Sequence, residues 1–300
     1  MKRLISVLLA VVAFGASAPP AFAKETDAVS PDGVKVEKMS PLRKLVPEGE
    51  LEAAALQQYT GLKQAASEKG VLVPDSDPQV QRLRAIAKKL IPQAERWNPS
   101  ATDWKWEVSL IDLKQINAFC MPGGKIGFFT GILDQLKLTD DEVAIVMGHE
   151  IAHALREHGR ERLAKSNVTN VGARVLGFGL SALLGIDPNL TNTVAGAGAN
   201  LAILKFSRSD ETEADLVGLD IVARAGYDPR AGVALWQKMG MVSKNAPMEW
   251  LSTHPAGKSR IAEMRKHMPS VMPLYAKVKG QPQSKLPPYT TNVKGIAPIP

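Results

Sequence analysis

The chain has 300 residues, 45% hydrophobic and 22% charged, a balance that supports a sizeable core and excludes an intrinsically disordered chain. Its net charge of +7 is diffuse and accompanies no nucleic-acid motif, so no nucleic-acid partner is expected. The single cysteine, Cys120, excludes an intramolecular disulfide and leaves nitrogen and oxygen as donors for any metal site.

The chain begins with Lys2 and Arg3, an apolar run over residues 4–14, and Ala21-Phe22-Ala23. A charged start, a short apolar stretch and a small-x-small end predict a signal peptide over residues 1–23, cleaved after Ala23. Residues 24–47 mix proline, glycine and charge and read as an extended lead. Leu51, Ala54, Ala55, Tyr59 and Leu62 recur at helical spacing, predicting a helix over residues 48–69 that Gly70 ends. A second helix is predicted over 78–97, with Pro92 kinking or shortening it. Residues 104–111 alternate apolar with polar, as a half-buried strand does. Residues 116–121 and 125–129 flank Pro122-Gly123-Gly124 and read as a hairpin. The expected product is a small antiparallel sheet packed on helices. Cys120 lies within this apolar stretch and reads as a small buried hydrophobe.

Residues 139–162 carry the chemistry. Thr139 and Glu142 have capping-box spacing, and Asp140 and Asp141 suit a helix N-terminus. An apolar run from Val143 to Met147 then leads to His149-Glu150-Ile151-Ala152-His153. Positions i and i+4 share one helix face, so His149 and His153 aim two imidazoles at one point, which suits Zn²⁺. Glu150, about 100° further round the helix, can flank the ion and move the proton of a bound water. The helix is expected to continue through residues 154–165, with His158 turned away as a surface residue or a support, not a ligand. Arg156 and Gly159 stand where a metzincin needs glycine and a third histidine, which excludes that class. A strand edge beside such a metal can hold substrate backbone. Residues 117–121 are the candidate edge, with Asn117, Ala118 and Phe119 as candidate substrate contacts; the alternative is an ordinary internal strand.

Residues 167–205 are rich in glycine and alanine, and Asp187-Pro188 divides them into halves short for membrane spans. They read as two core helices or as a flap over the site. Next, in Ser207-Arg208-Ser209-Asp210-Glu211-Thr212-Glu213-Ala214-Asp215, Glu211 and Asp215 are i, i+4 on a predicted helix. Glu211 can supply a third ligand, with Glu213 as its competitor, and Asp215 can accept the outer N–H of a ligand histidine. Residues 227–241 predict a further helix. His254-Pro255 either brings an imidazole to the site or caps a helix over 256–267, and Arg260 is either a site cation or a surface charge. A neutral His254 can also close the fourth metal position. Residues 269–300 hold seven prolines, four lysines and no acid, and read as an extended tail.

GHEIAH, SRSDETEAD and STHPAGKSR, in that order, resemble the gluzincin zinc metallopeptidases that include HtpX-like, CAAX prenyl and mitochondrial Oma-type peptidases. NAFCMPGGKI is similar to the strands that precede HExxH in soluble bacterial members. The resemblance runs from about Val80 to Met268. It implies one Zn²⁺ per chain, held by His149, His153 and Glu211, with Glu150 as base and Asp215 as the supporting acid. It also implies that His254 and Arg260 orient substrate or stabilise the oxyanion. The chain lacks the several spanning helices of the membrane members and resembles the periplasmic branch. The expectation is therefore a mainly helical α+β zincin-type metallopeptidase domain over residues 48–268. It would be an envelope endopeptidase acting on misfolded or misassembled polypeptides, with peripheral membrane contact or an envelope-assembly partner. The rival expectation is a chaperone or assembly factor with a latent peptidase site.

Overall fold

The computed structural model describes residues 32–169, 206–242, 250–251, 254 and 258–300. The expected leader and almost all of the 167–205 segment lie outside the described residues. Strands β1 (Glu107–Ile111), β2 (Ala118–Met121) and β3 (Lys125–Phe129) form one sheet in the order β1-β3-β2. The expected hairpin is β2 with β3, antiparallel across Pro122-Gly123-Gly124, where both glycines take the left-handed φ the turn requires. The sheet as a whole is mixed, not antiparallel as expected, because β1 lies parallel to β3 with Val108 opposite Ile126. A meander would have put β1 beside β2. Here β1 takes the free edge of β3, and among the described residues no strand covers the outer edge of β2.

Strand alternation splits the core between two faces. Ile111, Phe119, Met121 and Phe129 pack under α1 (Glu48–Glu68) with Leu51, Ala55, Tyr59 and Leu62. Val108, Leu110, Ala118, Cys120, Ile126 and Phe128 face the larger core, which includes α2 (Pro78–Leu90). The sheet is thus buried on both faces, which explains why β1 is not half exposed. Ser109, expected on a solvated face, is buried and bonded to the Tyr59 hydroxyl at 2.7 Å. Pro92 ends the second helix, as its missing N–H requires, and the chain continues as a 3₁₀ turn over Ile91–Gln93.

After α3 (Thr130–Gln135) comes the central helix α4 (Asp140–Leu155), whose residues from Glu142 to Leu155 are all buried. Its capping box forms as the sequence predicts. The Glu142 amide donates to Thr139 Oγ1 at 3.3 Å, and the Thr139 amide donates to Glu142 Oε2 at 2.8 Å. The helix does not run on past His153 as expected. It stops at Leu155, Glu157 takes φ 55°, and α5 (His158–Thr169) starts after this break. Arg43 and Arg160 pair with the Glu157 carboxylate and hold this turn.

Helices α6 (Arg208–Arg224), α7 (Ala231–Val242) and α8 (Lys258–Lys279) complete the domain. The lead joins it too: Val34 is buried, and its amide donates to Asp220 Oδ2. The C-terminal tail differs from an extended run over 269–300. α8 continues through Pro269 and Pro273, held by the buried side chains of Val271, Met272, Leu274 and Tyr275. Beyond it the chain straps the start of α4. Tyr289 meets Thr139 Oγ1 at 2.8 Å, and Thr291 donates to Glu142 Oε1 at 2.7 Å. The buried Lys238 ammonium bridges Glu142 and Asn292. Among the described residues no helix is long and apolar enough to cross a membrane.

Candidate active site

The site depends on how closely α4 and α6 approach. A Cβ on Gly218 would lie 3.0 Å from the His149 backbone nitrogen, and one on Gly148 would lie 2.9 Å from Val222 Cγ2. Two facing glycines let the helix backbones nearly touch, so a carboxylate on the first turn of α6 can reach the imidazoles of α4. Gly218→Val should therefore push the helices apart, cost about 1–3 kcal/mol in urea unfolding, and reduce zinc uptake by the same purified protein.

His149 Nε2 and His153 Nε2 stand 3.1 Å apart. Glu211 places Oε2 at 3.6 Å from the first and Oε1 at 3.4 Å from the second. His254 Nδ1 lies 3.3 Å from His149 Nε2 and 3.0 Å from Glu211 Oε1. One donor atom from each of these four buried residues falls within 4.8 Å of all the others. A tetrahedral ion with bonds of about 2.0–2.1 Å sets its ligands about 3.3 Å apart, so the donor set fits Zn²⁺. Burial, the largest influence, drives the pKa of His153 well below the usual imidazole value and keeps a ligating lone pair free. Burial also works against the charge on Glu211, but the adjacent histidines outweigh it and its carboxyl is held below the usual range.

The surrounding residues hold these donors. His149 Nδ1 meets Asp215 Oδ1 at 3.1 Å. Arg260 donates from Nε and NH2 to Asp215 at 2.6 and 2.5 Å, and from NH1 to Glu211 Oε2 at 2.5 Å. Its guanidinium stacks over Trp236 at 4.0 Å. These contacts place Arg260 against the carboxylates behind the ligands, a supporting task that its expected part at the oxyanion did not include. His254 sits within the donor set, where a neutral imidazole that closes the fourth metal position would stand.

Glu150 is buried beside the cluster, and its Oε1 accepts a hydrogen bond from the Trp250 indole at 2.8 Å. Sequence reasoning missed Trp250, which also stacks on His254 with ring centroids 4.8 Å apart. Its only signal was an aromatic residue four positions before that histidine. Glu213, the competing ligand, points away from the donor set and pairs with Arg156 and His158. His158 is buried against His153, so of its two expected places it takes that of a support and not that of a surface residue.

The three candidate substrate contacts divide. Asn117 carbonyl accepts from the Phe129 amide, and Phe119 faces Gly127 across the hairpin with its ring in the α1 core. Antiparallel alternation therefore turns the backbone groups of Asn117 and Phe119 toward β3 and those of Ala118 and Cys120 toward the open edge. The Ala118 amide is already capped by Asn117 Oδ1 at 3.0 Å. A cleft beside Glu150 and His153 is walled by Leu51, Glu52, Trp104, Cys120, Pro122 and Phe206. Burial pushes the Cys120 thiol well up, with Glu150 adding to it, which agrees with a packing role.

A zinc-fitting His-His-Glu set, a buried glutamate beside it and a small sheet along the HExxH helix define a gluzincin-type metallopeptidase fold. Residues 78–268 match the model of peptidase family M48, and the chain belongs to that family. It is similar to the mitochondrial metalloendopeptidase OMA1 of Arabidopsis thaliana, with 42% identity over 52% of this chain and 30% of the relative. It is 33% identical to the OMA1 of Saccharomyces cerevisiae over 68% of this chain and 60% of the relative. With the beta-barrel assembly-enhancing protease of Escherichia coli (strain K12) it shares 25% identity over 91% of this chain and 53% of the relative. The chain thus spans between about a third and three fifths of the length of these relatives.

Proposed function

We propose that this chain is a zinc-dependent endopeptidase of the bacterial cell envelope that hydrolyses misfolded or misassembled polypeptides. The observation that carries the reading is the convergence of His149, His153 and Glu211 on one point, with the Glu150 carboxylate beside it. His149, His153 and Glu211 would hold the zinc, which when bound would supply Lewis acidity toward a water and the scissile carbonyl. Glu150 accepts the water proton and returns it to the leaving nitrogen. The Trp250 indole keeps the Glu150 carboxylate in place for both transfers. The Ala118 carbonyl and the Cys120 backbone groups on the outer β2 edge receive the extended substrate, and a substrate side chain enters the adjoining cleft.

The envelope compartment rests on the leader-like residues 1–23 and on the relatives named as beta-barrel assembly-enhancing proteases. Other relatives carry mitochondrial names, so what the two groups share in their names is proteolysis, not place. His254 Nδ1 in the fourth donor position favours a second reading, a latent peptidase within a chaperone or assembly factor. In that arrangement substrate enters only when His254 withdraws.

The test is metal content and casein cleavage on one purified preparation, with and without chelator. One zinc per chain and chelator-sensitive cleavage is the expected result. Zinc without cleavage supports the latent reading, and His254→Ala should then release activity. A folded protein that takes up no zinc overturns both.

A further inference from the structure

We infer that His158 and Glu213 are positioning residues that lock the tautomer and orientation of His153, as Asp215 does for His149. The inference rests on the metal-site reading above. His153 presents Nε2 to the other donors, so as a ligand it carries its proton on Nδ1. That Nδ1 lies 2.9 Å from His158 Nδ1. His158 must therefore accept there and carry its own proton on Nε2. Its Nε2 lies 3.0 Å from Glu213 Oε2, which accepts it. Every hydrogen position in the chain follows from the one requirement that His153 Nε2 be free for metal.

The far end is anchored as well. Arg156 donates from Nε and NH2 to Glu213 Oε1 at 2.6 and 2.5 Å, and NH2 also reaches the Glu37 carbonyl. Phe206 stacks on the His153 ring, with centroids 4.0 Å apart, and fixes its plane. The two ligand histidines thus have parallel supports. His149 is backed by Asp215 and Arg260, and His153 by His158, Glu213 and Arg156. Both carboxylates come from α6, which also supplies Glu211, so one helix sets the third ligand and orients the other two. The turn at Glu157 makes this arrangement available. On a continuous helix His158 would project about 140° from His153, and the left-handed residue folds it back instead.

The test compares zinc affinity, by competition with a chromophoric chelator, in the wild-type chain, His158→Phe and His158→Asn. Visible spectra of the Co²⁺-loaded proteins report the ligand geometry, and melting in chelator checks the fold. His158→Phe keeps a ring for packing but leaves the His153 N–H without an acceptor, and affinity should fall about 10- to 100-fold. His158→Asn places an amide oxygen where Nδ1 was and should stay within about threefold of wild type, with a wild-type Co²⁺ spectrum. Glu213→Gln should fall between the two. Equal affinity in wild type and His158→Phe, or equal losses in Phe and Asn variants, would overturn the inference and leave the metal site standing. A wild-type chain that binds no zinc removes the metal-site reading and this inference with it.

Discussion

Glu150→Gln is expected to keep zinc and to lose cleavage by about 10²–10⁴-fold, equivalent to about 3–5 kcal/mol of transition-state stabilisation. Glu150 is not one of the four residues whose donor atoms converge, so its replacement leaves the metal cluster intact. Glutamine has the same length and volume, and its amide oxygen can still accept the Trp250 indole proton. The one property removed is basicity at a point beside the metal-bound water. Turnover of casein or a fluorogenic peptide, read beside metal content and melting temperature, separates this from misfolding. A variant that cleaves at the wild-type rate would remove Glu150 from the mechanism. A variant that loses zinc along with activity would mean that the carboxylate helps to hold the ion.

Much of this site was legible in the sequence because its geometry is local. His149, Glu150 and His153 sit on one helix whose start is written by Thr139 and Glu142, so helical periodicity alone relates them. Glu211 and Asp215 are also one turn apart, behind a Ser207 cap. What was illegible depends on the chain reversing or on distant partners. Glu157 adopts a left-handed conformation without glycine or proline to announce it, because Arg43 and Arg160, far apart in sequence, hold its carboxylate. Helical spacing turned His158 away from His153 and left surface residue and support both open; the turn puts it at the back of His153, as a support. β1 read as half buried because its alternation is real, yet α1 covers the polar face and Ser109 bonds to Tyr59. The proline-rich tail suggested an extended chain, and composition gave no hint that Tyr289 and Thr291 would clasp the first turn of α4. Arg260 was found by its place in a motif, but its task came only from the three contacts it makes.

Those contacts set the second large expectation: Arg260→Ala should cost about 3–5 kcal/mol in the metal-free protein, because it removes the guanidinium paired with buried Asp215 and Glu211. Arg260 is only 4% exposed, and its guanidinium bonds to both oxygens of Asp215 and to Glu211 Oε2. Burial raises the pKa of Asp215, but Arg260 and His149 outweigh it, and the carboxyl is held below its usual value. A carboxyl depressed in the folded state contributes stability above its unfolded pKa of about 3.9, and that stability is lost as pH falls toward the folded pKa. Without Arg260 the folded pKa of Asp215 rises, so its contribution is lost at higher pH, while Glu211 keeps the histidines that lower its own. The gap between wild type and variant should then be widest near neutrality and should narrow below about pH 4, as Asp215 takes up its proton. Urea unfolding in chelator at several pH values reads this directly. An Arg260 that serves the oxyanion would behave otherwise: Arg260→Ala would lower turnover while unfolding free energy and its pH dependence stayed close to wild type. Since the guanidinium fixes the carboxylate of a metal ligand and that of its neighbour's support, lost stability and weakened zinc binding should appear together in the variant.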